Sequence, residues 1–402
     1  MELQGKTIFI LGIAKFDGQF ESTSYTTAKY LAENNTVYYV DYPYTWKDYF
    51  GEKNTSFLKR APYFSNKSDG LLDVGIKNLN ILIIPPVLSI NFLPEGIVYR
   101  LLNKINEGII AKRIRKVIKT NKIAEFLFIN SFNFHYPNVG PLIRPNLSIY
   151  HCVDPLIVAY DQKHGIISEK KIVEQSDMVI CTSKELYRQK SILNKQTYFI
   201  PNAADLSLSS QALAADLKVN SRLDLIKKPI IGYFGNIERR IDFQLITDVI
   251  NTNKDKSFVF AGPVVEEYIP VDFKKISNVY FIGQIPYAEM PSVIKGFDIA
   301  MIPFKKDEVS STIFPLKLFE YLGAGKPVVS TYFNLDLADF TQDEVPYCAD
   351  AKQFTVALNI KLHDTDKESI QKRVHIASEN TWTRRLSELS TLINGYYFKK
   401  DG

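Results

Sequence analysis

Pro229-Ile230-Ile231-Gly232-Tyr233-Phe234-Gly235 reads as a buried strand running into a glycine turn, and it restarts the pattern that opens the chain. Before it, short apolar runs alternate with helical stretches. Strands are expected at Thr7–Leu11, Val37–Asp41, Ile81–Ile84, Phe126–Ile129, Ser148–Tyr150, Met178–Cys181 and Tyr198–Pro201. After it come Ser257–Ala261, Val279–Ile282, Ile299–Ile302 and Pro327–Ser330, each trailed by a helical segment. Such alternation predicts parallel α/β architecture, and the restart predicts two doubly wound units. The polar, Ser/Ala-rich stretch Asn202–Lys228 reads as the linker. The expected division is 1–201, 202–380, and a closing helix within 381–402 that packs back on the first domain. Ligands in such proteins sit beyond the carboxyl ends of the strands, here in a central cleft faced by both units.

Composition narrows the class. The chain has 402 residues, is 46% hydrophobic and carries a formal charge of +5. Cys152, Cys181 and Cys348 are too few and scattered for a disulfide framework, which points to a reducing compartment. No apolar run approaches the roughly 18 residues of a membrane span, and the longest, Ile81–Ile90, is broken by Pro85 and Pro86. The first residues lack the basic and apolar regions of a signal peptide, so a cytoplasmic location is expected.

The charge is uneven. Residues 1–200 hold 25 Lys and Arg against 18 Asp and Glu, and the remainder 24 against 26. Most of the excess lies in Tyr99–Glu125, where Arg100, Lys104, Lys112, Arg113, Arg115, Lys116, Lys119 and Lys122 accompany apolar residues at helical spacing. A basic amphipathic helix is either a contact for a membrane surface or polyanion, or a helix docked on a sheet with its charges in water.

The motifs of hydride transfer and nucleotide hydrolysis are missing. Leu11-Gly12-Ile13-Ala14-Lys15-Phe16-Asp17-Gly18 is not G-x-G-x-x-G, and the chain has no G-x-x-x-x-G-K-[ST], H-E-x-x-H or G-x-S-x-G. Gly12 either permits close approach of a ligand or serves only a tight turn. The richest segment is Ser311–Ser330: a Pro-opened helix bearing Lys317 and Glu320, a glycine stop, and a buried strand. Lys317 and Glu320, three residues apart, share a helix face. There a cation can neutralise phosphate while a carboxylate accepts both hydroxyls of a ribose; a plain surface ion pair fits the same spacing.

This segment resembles the donor-binding helix of the GT-B glycosyltransferases, of the group 1 or family 4-like kind. Ser176–Ser183 resembles the family's strand of pattern aD-x-v-i-x-x-S. Ile200-Pro201-Asn202-Ala203-Ala204-Asp205 resembles its i-P-N-G-v-D hinge, with Ala203 in the place of Gly. Gly232–Ile237, Phe260–Pro263 and Val279–Tyr287 resemble the second domain's turn and later strands. The likeness spans nearly the whole chain and is specific from about Leu147 onward. It is nearest to teichuronic acid-type and xanthan glucuronosyltransferase-type enzymes.

The resemblance implies a hexosyltransferase-type enzyme moving a sugar from a nucleotide donor, a UDP-sugar, to a glycan or lipid-linked acceptor in cell-surface polysaccharide synthesis. Glu320 would bind the ribose and Lys317 the diphosphate, with Arg239 or Arg240 past Gly235 as a second cation. Gln284, Ile285 and the loop to Tyr287 would flank the base; Phe304 and Leu316 also belong to the donor side. Many retaining members carry a carboxylate where this chain has Thr312, so inversion is favoured over retention. Asp154 matches the general base of the xanthan-type enzyme, and the capping of a turn before Pro155 is its other reading. His151 matches a sugar-contacting histidine of retaining relatives, and Gly12 and Asp17 fall on the acceptor side. No metal or other cofactor and no nucleic acid are expected. The basic helix, with aromatics such as Trp46 and Phe92, would suit an anionic membrane at the inner face. An epimerase on the same fold and a non-catalytic sugar-nucleotide-binding subunit are the alternatives.

Overall fold

A computed structural model of the chain describes residues 3–18 and 22–400. The first two residues of the expected amino-terminal stretch lie outside the described residues. The chain divides into two compact units: one takes the chain up to Pro201 together with the stretch from Leu386 onward, and the other is Asn202–Arg385.

In the first unit, β1 (Thr7–Gly12), β2 (Thr36–Val40), β3 (Leu71–Asp73), β4 (Leu79–Leu82), β5 (Leu127–Ser131), β6 (Leu147–Cys152), β7 (Met178–Cys181) and β8 (Thr197–Phe199) form one sheet. Their order is β3-β4-β2-β1-β5-β6-β7-β8, parallel except for β3 against β4. The second unit repeats the plan with β9 (Ile230–Phe234), β10 (Ser257–Ala261), β11 (Val279–Gly283), β12 (Ile299–Ile302), β13 (Val328–Thr331) and β14 (Tyr347–Cys348). Here the order is β11-β10-β9-β12-β13-β14. In each sheet the unit's first strand is central and the strand order reverses beside it, between β1 and β5 and between β9 and β12. That reversal opens a crevice at the strands' carboxyl ends.

The inner strands are runs of Ile, Val, Phe and Leu because helices cover both faces of a parallel sheet. β3 and β14 escaped the sequence reading: Leu-Leu-Asp and Tyr-Cys are too short to carry a period of their own, and only their neighbours' backbones draw them into the sheets. The stretch Asn202–Lys228 is built into the second unit as short helical turns, with Ala204 bridged to Thr381 and Leu223 buried. The last helix, Trp382–Lys400, runs longer than its expected span near Thr381–Leu392. Leu389 and Ile393 enter the first unit's core with Ile8 and Ile10, and Tyr396 Oη donates to Asp177 at 3.1 Å.

One buried charge cluster braces the first unit. Arg60 is fully buried and donates to Asp17 through Nη1 at 3.0 Å and Nη2 at 2.7 Å, and to Asp41 through Nε at 2.6 Å. It ties the loop after β1 to the end of β2. Replacing Arg60 with Leu would leave the buried Asp41 carboxylate without its counter-charge. The expected loss is about 3–5 kcal/mol of unfolding free energy, read from urea titration at neutral pH.

Candidate functional site

The second unit's crevice begins with two glycines. Gly235 ends β9 at φ +140°, where its N–H donates to the Ala261 carbonyl at 2.9 Å. Gly262 ends β10 at φ +147°, and a methyl group there would lie 2.1 Å from the Gly235 carbonyl oxygen. The Gly262 N–H in turn donates to Gly283 at the end of β11, at 2.9 Å. Three strand ends are thus stitched together through backbone that at Gly262 leaves no space for a side chain.

Over this floor stands the Leu316–Gly323 helix, entered from Pro315. Lys317 Nζ donates to Tyr233 Oη at 2.7 Å and lies 4.0 Å from the centroid of that ring and 5.3 Å from that of Phe304. A methyl group on Gly235 would come within 2.5 Å of the same Nζ. Burial, helped by the charge of Arg240, pushes the Lys317 ammonium down to about 7 against the pull of Glu320 and Glu238. Glu320, one turn along, accepts at Oε1 from the Tyr287 hydroxyl at 2.6 Å. Tyr287 itself is exposed, so the 284–287 loop reaches the carboxylate from the solvent side. Lys317, Glu320, Gly235 and Tyr287 therefore come together.

The remaining donor-side residues divide. Arg240 pairs with Glu238 and places its guanidinium 5.6 Å from the Phe304 centroid, whereas Arg239 Nε stands 4.0 Å from Glu238 and is more exposed. Of the two, Arg240 is the one grouped with Lys317. Phe304 is buried beneath both cations. Ile285 is buried, while Gln284 is exposed and its carbonyl accepts from Arg222 at 3.0 Å, fixing the loop's start. Leu316 is half-buried at the head of the helix. The Thr312 hydroxyl is spent on the Val309 carbonyl at 2.6 Å, closing its own turn.

In the first unit, His151 lies at the carboxyl end of β6, its Nδ1 3.3 Å from Ser131 Oγ on β5. Burial pushes its imidazole down to about 4, so it is neutral near pH 7. Asp154 is exposed in the loop just beyond, and that loop is held by Thr182 Oγ1 donating to the Val153 carbonyl at 2.6 Å. Gly12 has a packing reason that the sequence reading did not contain: a methyl group there would meet Tyr39 Oη at 2.2 Å. Asp17 is engaged structurally. Burial raises its carboxyl, but Arg60 outweighs that and holds it below the usual range, with Ser56 Oγ donating as well. Among the described residues no group of three His, Cys, Asp or Glu side chains is placed to hold a metal ion.

Two site residues were missed in the sequence. Tyr233 carries Lys317 and donates to the Asn236 carbonyl at 2.9 Å. Tyr321 Oη accepts from the Phe234 N–H at 2.8 Å and donates to the Phe234 carbonyl at 3.2 Å, clamping the helix to the end of β9. The available signals were weak: Tyr233 stands two residues before the glycine, and Tyr321 four after the lysine.

Two Rossmann-like units, the second with a glycine-floored crevice under a Lys- and Glu-bearing helix, define the GT-B fold of the glycosyltransferases. Residues 239–391 match a family model described as glycosyl transferase-like. The chain is 26% identical over 214 residues to TuaH of Bacillus subtilis (strain 168), a protein named for glycosyl transfer in teichuronic acid biosynthesis. The match covers 49% of this chain and 53% of TuaH, so the chain spans about half the length of that curated relative. Across the whole fold it is similar to sucrose-phosphate synthase of Thermosynechococcus elongatus, with a TM-score of 0.63, 13% identity, and coverage of 98% of this chain and 100% of the other. It is also similar to Anabaena Alr3699/HepE solved with UDP, with a TM-score of 0.64, 14% identity, and coverage of 97% and 100%.

Replacing Gly262 with Ala tests the glycine floor. The methyl group would collide with backbone in a strained region of φ, so unfolding free energy is expected to fall by about 2 kcal/mol or more, measured by denaturant titration.

Proposed function

We propose that the protein is a glycosyltransferase that moves a sugar from a UDP-sugar to a hydroxyl of a glycan or lipid-linked acceptor. The observation that carries this reading is the half-buried Lys317 ammonium against the Gly235 turn, with the Glu320 carboxylate one helical turn away. A diphosphate would supply the negative charge that Lys317 lacks, and Arg240 would add a second cation. Glu320, once Tyr287 yields its place, would accept from a ribose diol. The relation to TuaH supports a role in cell-surface polysaccharide synthesis, and the Anabaena protein, solved with UDP and with UDP-glucose, supports the nucleotide.

In the inverting reaction we favour, an acceptor oxygen attacks the anomeric carbon while the bond from that carbon to the diphosphate breaks. The electron pair leaves with UDP, and the hydroxyl proton passes to the Asp154 carboxylate. His151, neutral and tied to Ser131, is assigned to orienting a sugar rather than to acid chemistry. No metal is required in this scheme, because lysine and arginine neutralise the leaving group.

Thermal shift against a panel of nucleotide sugars, then acceptor trials with the best donor, tests the reading. A UDP-sugar should raise the melting temperature most, and UDP should be released only when acceptor is present. Sugar isomerisation without acceptor would instead favour an epimerase, and binding without turnover a non-catalytic subunit. Asp154→Asn is expected to abolish transfer while leaving UDP-glucose affinity within about twofold, by calorimetry beside a coupled UDP-release assay.

The lysine also sets a pH dependence. In the free site Lys317 is mostly ammonium at pH 6 and mostly amine at pH 8. Bound diphosphate favours the ammonium, so binding above pH 7 takes up a proton. Affinity for UDP-glucose, whose diphosphate does not titrate here, is expected to be flat below about pH 6.5 and to weaken up to about tenfold per unit above 7. Lys317→Met should bind more weakly with no such slope.

A further inference from the structure

The stretch 202–228, which reads in the sequence as a linker, has one segment fastened to the second unit's crevice. Asn220 caps the short turn Ser221–Leu223, its Oδ1 accepting from the Arg222 N–H at 3.2 Å. Leu223 is buried in the second unit's core, and a methyl group on Gly296 would lie 2.4 Å from its Cδ1. The turn is therefore rooted, and Arg222, itself exposed, reaches from it to the end of β11. Arg222 Nη1 donates to the Ile282 carbonyl at 2.7 Å and to the Gln284 carbonyl at 3.0 Å. Asn220 holds the far side of the same loop, where its Nδ2 donates to Glu289 at 3.1 Å and to Ser292 Oγ at 3.2 Å.

The sheet supplies the reason for a cation at this spot. β11 is an edge strand, and its pairing with β10 skips one residue: Phe281 stands opposite Phe260, and Gly283 opposite Ala261. Ile282 is the extra residue of a bulge, and a bulge re-aims the chain that follows it. The Gly283 carbonyl turns inward to the Gly262 N–H, at 2.9 Å. The carbonyls of Ile282 and Gln284 go to Arg222 instead, so one guanidinium satisfies two acceptors at the sheet's edge. Between them Gly283 lies at φ +77°, in the left-handed region. Without Arg222 the glycine would still permit the turn, but nothing would pin the two carbonyls that set its course. The residues steered by that course are Ile285, which is buried, and Tyr287, whose hydroxyl meets Glu320 Oε1 at 2.6 Å.

We infer that Arg222 is a positioning residue for nucleoside recognition, acting through the 284–287 loop. The inference rests on the donor reading above and deepens it. A nucleotide with its diphosphate on Lys317 extends along the helix to a ribose at Glu320, and its base then meets the loop that carries Tyr287. Arg222 fixes the start of that loop and Asn220 its far side, so the fit to base and ribose is set from the linker. The diphosphate is held elsewhere, by Lys317 against the Gly235 turn. Loss of Arg222 therefore weakens the grip on the nucleoside and spares the grip on the phosphates.

The test compares the full chain with Arg222→Met, which keeps the aliphatic stem, and with Arg222→Lys, which keeps the charge but not the planar fork. Arg222 is exposed, so both variants should keep the native melting temperature. Calorimetry with UDP and with inorganic pyrophosphate separates the two halves of the ligand. Arg222→Met is expected to weaken UDP about tenfold, as for one charge-assisted hydrogen bond, while pyrophosphate stays within about twofold. Arg222→Lys should restore UDP affinity to within about threefold of native. In turnover, KM for the UDP-sugar should rise in step with the loss of UDP affinity while kcat holds within about twofold. With no nucleotide present, amide exchange across residues 284–290 should quicken about tenfold in Arg222→Met, and that of β10 should not change. Equal weakening of UDP and pyrophosphate would overturn the inference, and so would an exchange rate that does not move. A native chain that binds pyrophosphate but no nucleotide would overturn the donor reading and this inference together. Native UDP binding that survives Arg222→Met unchanged would overturn this inference alone.

Discussion

A half-buried lysine with a phenol, not a carboxylate, as its hydrogen-bond partner sets the terms for the second unit's site. Lys317 is carried by the Tyr233 hydroxyl and pressed toward Gly235, and both contacts require the glycine floor at β9 and β10. Desolvating an ammonium is costly, and here that cost, with the charge of Arg240, outweighs the pull of Glu320 and Glu238 and pushes the lysine down to about 7. An anion arriving there would relieve the penalty and form charge-assisted hydrogen bonds at once. Tyr321 secures the arrangement by tying its helix to both polar groups of Phe234.

The first unit handles charge in a different way. Arg60 and Arg113 are buried with full sets of acceptors, Asp17 and Asp41 for one and loop carbonyls for the other. These guanidiniums act as struts, since a planar fork can satisfy several acceptors at once where an ammonium would serve fewer in fixed geometry. A formal excess of cations in the first half of the chain is thus only partly a surface property. Part of what remains outside lies on one helix stripe, where Lys112 and Lys119 follow aliphatic groups left in water.

Much of the architecture was legible because it follows from period and punctuation. The inner strands announce themselves as continuous Ile, Val and Phe runs, and the repeat at Pro229 shows that a second sheet begins. Edge strands β3 and β14 were illegible because two or three residues carry no period; partner backbones make them strands. The Lys317–Glu320 pair was visible as a helix-face spacing, but Tyr233 and Tyr321 were not, since their roles depend on contacts across more than eighty positions. Asp17 and Gly12 show the converse. Each follows a first strand, and each has an internal partner, Arg60 or Tyr39, that distance in sequence concealed.

The sequence alone determined the layer architecture, the doubling of the unit and the helix that carries Lys317 and Glu320, because these follow from local periodicity and from residues close in the chain. Only the tertiary structure decided which charges are free. An arginine facing water and an arginine knotted into loop carbonyls have the same letter and the same helical position within a turn. Their difference lies in what the fold brings within 3 Å, and that is a property of long-range packing.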